Sequence, residues 1–203
     1  MQIEIMPVGP LETNCYLLHN SKQAVVIDPG GEAGLILERL DRMQLELTHI
    51  LNTHLHFDHT YANAALAAAT GVKILAGEAE RLLAETELAR GGMFGLPLVE
   101  PFTWEALAPG IYSMLGQQCE VLPTPGHSPG SLSYYFPAAA AAFVGDVIFR
   151  GAVGRTDFAH ASHARLIQSI ESQILSLPDE TTLYPGHGPA TTVKREKKSN
   201  PYL

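Results

Sequence analysis

Residues 53 to 59 read Thr-His-Leu-His-Phe-Asp-His and so set His54, His56, Asp58 and His59 within one short stretch. Nothing else in the sequence restricts the fold as much, because polar groups this dense can be buried together only where partners compensate them. The stretch follows His49 to Asn52, an apolar run that reads as the end of a buried strand. It precedes Tyr61 to Ala69, which has helical character and a glycine stop at Gly71. At an extended strand end His54 and His56 project to the same side, since side chains repeat every two residues. Asp58 and His59 fall where the chain turns into the helix, and aim at a neighbouring point. That spacing suits two adjacent metal ions, one taken by His54 and His56 and the other by Asp58 and His59.

Three later residues occupy similar settings. His127 lies in the turn Pro125-Gly126-His127-Ser128-Pro129-Gly130, Asp146 follows the apolar run Ala141 to Gly145, and His187 lies in Pro185-Gly186-His187-Gly188. Each is expected at a strand end, on a loop whose glycines permit close approach. A lone turn histidine is ordinarily structural, so the weight rests on the set of five histidines and two aspartates. Nitrogen and oxygen donors without thiolate suit zinc, iron or manganese in open sites. His19, His49, His160 and His163 have no such setting and read as incidental. Cys15 and Cys119 form neither a disulfide framework nor a C-x-x-C pair, which suits a reducing cytoplasm and a role as small core residues.

With 203 residues and 46% of them hydrophobic, the chain can bury a substantial core. No apolar run is long enough for a membrane span, and the N-terminus has no signal-peptide pattern. A net charge of −8 argues against a nucleic-acid surface, which needs concentrated basic residues. Strands are expected at 3–8, 15–19, 24–27, 73–76, 111–115, 119–123, 131–136, 141–145 and 182–184. Helices are expected at 33–43, 61–69, 78–89, 161–175 and in the tail from Thr191, with an irregular connection over 91–110. Strands lead in both halves, so two sheets with helices outside fit better than one all-parallel sheet. One domain spanning 1–203 is predicted, with halves of about 1–105 and 106–203.

His54-x-His56-x-Asp58-His59 with His127, Asp146 and His187 resembles the metallo-β-lactamase-fold hydrolases. Within them the chain is most similar to the short form of the type II glyoxalases, the hydroxyacylglutathione hydrolases. The turn Asp28-Pro29-Gly30-Gly31, the segment Gly151 to Phe158 and the closing Asn200-Pro201-Tyr202 extend the likeness over nearly the whole chain. Gly154-Arg155-Thr156-Asp157-Phe158 is shared with a narrower set that includes the persulfide dioxygenases. The resemblance implies an α/β (α+β) fold, the four-layer αββα sandwich. It implies that His54, His56 and His127 hold one metal, that Asp58, His59 and His187 hold a second, and that Asp146 bridges them. Two Zn²⁺ per chain are expected, with iron or manganese able to occupy either site. The implied reaction is hydrolysis of a small-molecule thioester, S-lactoylglutathione to glutathione and D-lactate, by a metal-bound hydroxide that attacks the carbonyl, with Asp58 and Asp146 as the catalytic carboxylates. The alternative is a mononuclear iron persulfide dioxygenase using His54, His127 and Asp146; a metal-stabilised binding module is the non-enzymatic reading. Asp146 stands where the β-lactamases proper carry cysteine or serine, so antibiotic hydrolysis is not expected as the main activity. Neither a nucleic-acid nor a membrane partner is implied, and the oligomeric state is left open.

Further residues complete the expected site. Asp28 is predicted to accept hydrogen bonds beneath the ligands rather than to bind metal. Arg155 and Arg195 are candidates for an anionic substrate, although Arg155 and Asp157 can also pair and brace their loop. Tyr134 or Tyr135 is a candidate for the pocket wall. The segment Gly91 to Pro97 reads either as a lid or, more ordinarily, as packing between the halves.

Overall fold

The computed structural model describes residues 1–203, except for the side chain of Phe94. The chain divides into two compact units, Met1–Leu107 and Ala108–Leu203.

The first unit contains, in chain order, β1 (Gln2–Val8), β2 (Thr13–His19), β3 (Gln23–Ile27), α1 (Ala33–Arg42), β4 (Glu46–Leu51), α2 (Asn63–Thr70), β5 (Ile74–Ala76), α3 (Glu87–Arg90) and β6 (Glu105–Ala106). They build a six-stranded sheet in sequential order. Pairing is antiparallel from β1 to β3 and parallel from β3 to β6. The parallel run decides where the functional loops lie: Ile27 pairs with Leu51, so Asp28 and Asn52 leave adjacent strands side by side. Helix α1 buries Ile36 and Leu40, one turn apart, and α2 buries Leu66; these pack with Leu17, Val26 and Ile50 of the sheet. Helix α2 ends at Gly71, whose φ of 73° provides the expected left-handed stop.

The second unit contains β7 (Gly110–Met114), β8 (Gln117–Pro123), β9 (Leu132–Phe136), β10 (Ala141–Gly145), β11 (Ile148–Phe149), β12 (Ala152–Val153), α4 (His163–Ser169), β13 (Thr182–Pro185), β14 (Thr191–Thr192) and α5 (Val193–Ser199). The main sheet has the order β14-β13-β10-β9-β8-β7, and β11 pairs with β12 apart from it. Strands β10 and β13 are parallel, with Gly145 opposite Pro185, so Asp146 and His187 emerge at the same ends of neighbouring strands. Leu166 of α4 and Val193 of α5 pack with Ala142, Val144 and Leu183. Ser162 and Thr192 cap α4 and α5, each accepting a hydrogen bond from a backbone N–H of the first turn. Each unit is therefore a sheet with helices on one face, the mixed α/β pattern expected from the sequence.

Some local expectations differ. The helix predicted over 78–89 is a 3-10 turn, Glu78–Leu82, followed by the four residues of α3. Glu80, which an amphipathic helix would direct to water, is completely buried here. The helix over 161–175 continues beyond α4 as a π-turn, Ile170–Ile174. The two-residue strands β6, β11, β12 and β14 carry too little periodicity to be read from sequence.

Candidate metal centre

In the first unit the expected ligands gather on the loop after β4. The rings of His54 and His56 lie 4.5 Å apart between centroids, and those of His54 and His59 lie 4.1 Å apart. Asp58 Oδ2 is 3.5 Å from His59 Nε2 and accepts a hydrogen bond from the Thr13 hydroxyl at 3.3 Å. All four side chains are buried. Asn52 pins the far end of the loop, donating from Nδ2 to the His59 carbonyl at 3.0 Å, and Asn63 of α2 donates to Asn52 in turn.

Asp28 organises this loop from beneath, where it is 1% exposed and takes a φ of +51°. Its two oxygens accept the Thr53 N–H at 2.7 Å and the Thr53 hydroxyl at 2.6 Å. Having donated its one proton to Asp28, the Thr53 hydroxyl can only accept from His54 Nδ1, 3.0 Å away. That arrangement protonates His54 at Nδ1 and leaves Nε2 as the basic nitrogen. The carboxylate also lies 3.1 Å from His59 Nδ1. Gly30 allows the turn after Asp28 to approach the ligand loop: a Cβ there would lie 2.0 Å from the Asp58 carbonyl oxygen.

The second unit repeats this construction. His127 donates from Nδ1 to the Arg155 carbonyl at 2.8 Å, so its Nε2 is the basic nitrogen; that atom is 3.7 Å from Asp146 Oδ2. His187 Nε2 approaches the same oxygen to 3.8 Å. One carboxylate oxygen thus faces two imidazoles. Gly154 lets the chain cross Asp146 closely, since a Cβ at 154 would lie 1.9 Å from the Asp146 carbonyl oxygen. The His127 turn is tied to α4, with Ser169 Oγ donating to the Pro125 carbonyl and Ser162 N–H to the Gly126 carbonyl.

These donors fit a metal. His54 and His127, held at Nδ1 by a hydroxyl and a carbonyl oxygen with Nε2 left basic, are arranged as metal-ligating histidines are, with outer partners fixing the tautomer.

The residues proposed to contact substrate are placed differently. Arg155 pairs with Asp157 through two hydrogen bonds of 3.0 and 2.8 Å and stacks over Phe158 at 4.5 Å. Pairing holds the Asp157 carboxyl below its usual range and raises Arg155, as expected of a loop brace. Arg195 is largely exposed. Tyr135 belongs to the helix-covered apolar cluster and Tyr134, on the opposite face of β9, is completely buried. On β9 the Tyr135 side chain alternates onto the face that packs with Leu166 of α4. Segment 91–97 closes on itself, with Gly92 N–H donating to the Pro97 carbonyl and Tyr61 Oη donating to the same carbonyl at 2.9 Å. These contacts favour packing within the first unit over a lid. His19 sits between Glu4 and the Asn20 carbonyl, remote from the ligand loop in sequence and in hydrogen bonding.

Two buried carboxylates had no motif to announce them. Glu80 accepts the Leu55 N–H at 2.7 Å, between His54 and His56. Glu196 accepts from Gly151 N–H at 2.9 Å, Asn200 Nδ2 at 2.9 Å and the Thr191 hydroxyl, tying α5 to the loop that follows Asp146. No sequence signal marked either, since an acid among polar neighbours ordinarily reads as solvated.

Both cysteines are buried. Burial, reinforced by the charge of Glu120, pushes the Cys119 thiol up to about 12; burial, reinforced by Asp28, raises Cys15 as well. The native protein at about pH 8 is therefore expected not to react with Ellman's reagent, because thiolate is the reactive form. Both thiols should titrate once the chain is unfolded. Rapid reaction of either in the native state would contradict this placement.

The metallo-beta-lactamase superfamily profile matches residues 8–187, and the chain belongs to that family, whose members are generally hydrolases. It is 38% identical over 208 residues to the hydroxyacylglutathione hydrolase GloC of Haemophilus influenzae, covering 100% of this chain and 98% of that protein. Among solved structures, BLEG-1 B3 metallo-beta-lactamase superposes with a TM-score of 0.92 at 37% identity, over 100% of this chain and 99% of its own. TTHA1623 in a di-iron-bound form gives 0.89 at 38% identity, over 98% and 100%. ETHE1 from Myxococcus xanthus gives 0.80 at 28% identity, over 99% and 84%. The fold class is thus the one the sequence motifs implied. Among the described residues no helix is long and apolar enough to cross a membrane.

Proposed function

We propose that this chain is a binuclear metal-dependent thioester hydrolase whose preferred substrate is S-lactoylglutathione or a close acyl-glutathione. The observation that carries the reading is Asp146, one oxygen of which faces both His127 Nε2 and His187 Nε2. A carboxylate so placed suits a bridge between two cations. His54, His56 and His127 would hold one metal, Asp58, His59 and His187 the other, and Asp146 both. Bound there, the metals would supply a water acidified to about neutral pH and a Lewis acid for the carbonyl oxygen. The protein's own part is to orient those donors through Thr53, Asp28 and the Arg155 carbonyl. Asp58, steadied by the Thr13 hydroxyl, would orient the attacking water and take up its proton. Arg195 would meet the anionic part of the substrate, with Arg155 bracing the loop after Asp146. The full-length likeness to GloC supports glutathione as the thiol.

Thiol release by metal-replete protein across a panel of acyl-thioesters, with a β-lactam included because of the likeness to BLEG-1, tests this reading. S-lactoylglutathione should be cleaved fastest. Cleavage of the β-lactam without cleavage of any thioester would overturn it. The likeness to ETHE1 favours the second reading, an iron persulfide dioxygenase, which oxygen uptake on glutathione persulfide would reveal.

A further inference from the structure

Glu80 is an acid that the proposed chemistry does not use, yet it is 0% exposed and its carboxylate reaches into the ligand loop. It stands on the 3-10 turn Glu78–Leu82, and its Oε2 accepts the Leu55 N–H at 2.7 Å. Leu55 is the single residue between His54 and His56. The rings of His54 and His56 lie 4.5 Å apart between centroids, and a hydrogen bond to the intervening N–H holds the backbone between them. A buried carboxylate is costly unless well paired, so its retention needs a compensating use. The 3-10 turn Glu78–Leu82 is where the chain carries this buried acid.

Another anchor of the loop is Asp28, which fixes Thr53 and through it the tautomer of His54. Asp28 leaves the Leu55–His56 half of the loop untouched. Glu80 supplies that half from a different element, so the His54–His56 pair is clamped from both ends. Leu55 and Trp104 also line a cavity of about 320 Å³ with Ala84, Phe102 and their neighbours.

We infer that Glu80 is a positioning residue for the first metal: its carboxylate fixes the Leu55 amide and thereby sets the spacing at which His54 and His56 present their nitrogens. This rests on the metal-site reading above. The consequence is a site-selective change in metal affinity. Glu80→Ala should weaken one metal equivalent about 10- to 100-fold, the range typical for loss of an outer partner, while the other equivalent keeps its affinity. Glu80→Gln retains an oxygen acceptor for the Leu55 N–H and should recover most of the loss.

Competition of each metal-free variant with a chromophoric chelator, using Zn²⁺ alone as the probe, reads this without turnover. Amide hydrogen exchange at Leu55 provides the second readout and should accelerate in Glu80→Ala but not in Glu80→Gln. If both equivalents weaken alike, or if the Leu55 amide stays protected in Glu80→Ala, the assignment is wrong. Equal losses in Glu80→Ala and Glu80→Gln would also overturn it, whether through misfolding or through a need for charge. If the unsubstituted protein binds no Zn²⁺, the metal-site reading itself fails, and unchanged Leu55 exchange would separately condemn the role of Glu80.

Discussion

Asp146→Ala is expected to lower thioester hydrolysis by about 10³-fold or more and to leave no more than one tightly held metal per chain. The size of the effect follows from position. Its Oδ2 lies within 3.7 and 3.8 Å of two histidine Nε2 atoms, so one substitution removes a donor from both proposed metals. A residue serving only one cation would leave the other in place. The side chain is 14% exposed at the end of β10 rather than packed in the core, so the secondary structure should survive the change. Metal content by mass spectrometry, circular dichroism and turnover on the same preparation provide the comparison. An Asp146→Ala variant that kept full metal content and turnover would remove the carboxylate from the centre.

Gly154→Ala and Gly30→Ala should each destabilise the protein by about 3 kcal/mol or more, the range of steric insertions with no room to relax. For a chain of this size that corresponds to a fall in Tm of roughly 6–12 °C. At Gly154 a Cβ would meet the Asp146 carbonyl oxygen at 1.9 Å, and at Gly30 it would meet the Asp58 carbonyl oxygen at 2.0 Å. Both obstacles are backbone, which cannot swing aside as the end of a side chain can. Both also belong to expected ligands, so metal affinity should fall together with stability. Gly34→Ala is the matched comparison. It is the second residue of α1, with nothing within 4 Å of its Cβ position, and should stabilise by about 0.4–1 kcal/mol because alanine has less conformational freedom to lose on folding. Thermal unfolding of the three variants distinguishes the cases. If Gly154→Ala unfolds no earlier than the parent, the chain does not cross Asp146 as closely as described.

What the sequence revealed about the site came from spacing. His54, His56, Asp58 and His59 are close in the chain, and a strand-to-helix transition leaves them few directions in which to point. His127, Asp146 and His187 were legible because glycines and strand ends marked their loops. The partners that set tautomers were mostly hidden. Nothing in the sequence shows that Thr53 relays Asp28 to His54, or that the Arg155 carbonyl receives the His127 proton, since both depend on contacts fixed by folding. Glu80 and Glu196 were illegible for the same reason. An acid in a polar stretch reads as solvated until a distant backbone N–H claims it.

The fold was clearest where burial imposed a period. Strands β1 to β5 and β7 to β10 were readable, as was the strand end after Ile27, because turn residues follow each apolar run. The segment 78–89 was misread since its pattern of apolar and charged residues satisfies a helix, and only the inward turn of Glu80 shows otherwise. Tyr134 and Tyr135 alternate on their strand as expected. Alternation assigns faces without saying what covers them, and Tyr135 proved to pack beneath α4.

Stepwise addition of Zn²⁺ to metal-free protein, with thiol release from S-lactoylglutathione followed at each addition, tests the binuclear hydrolase most directly. The account predicts that hydrolysis rises to an end point at about two equivalents per chain. An end point at one equivalent with no thiol released, together with oxygen uptake on glutathione persulfide by the iron-loaded protein, would contradict it.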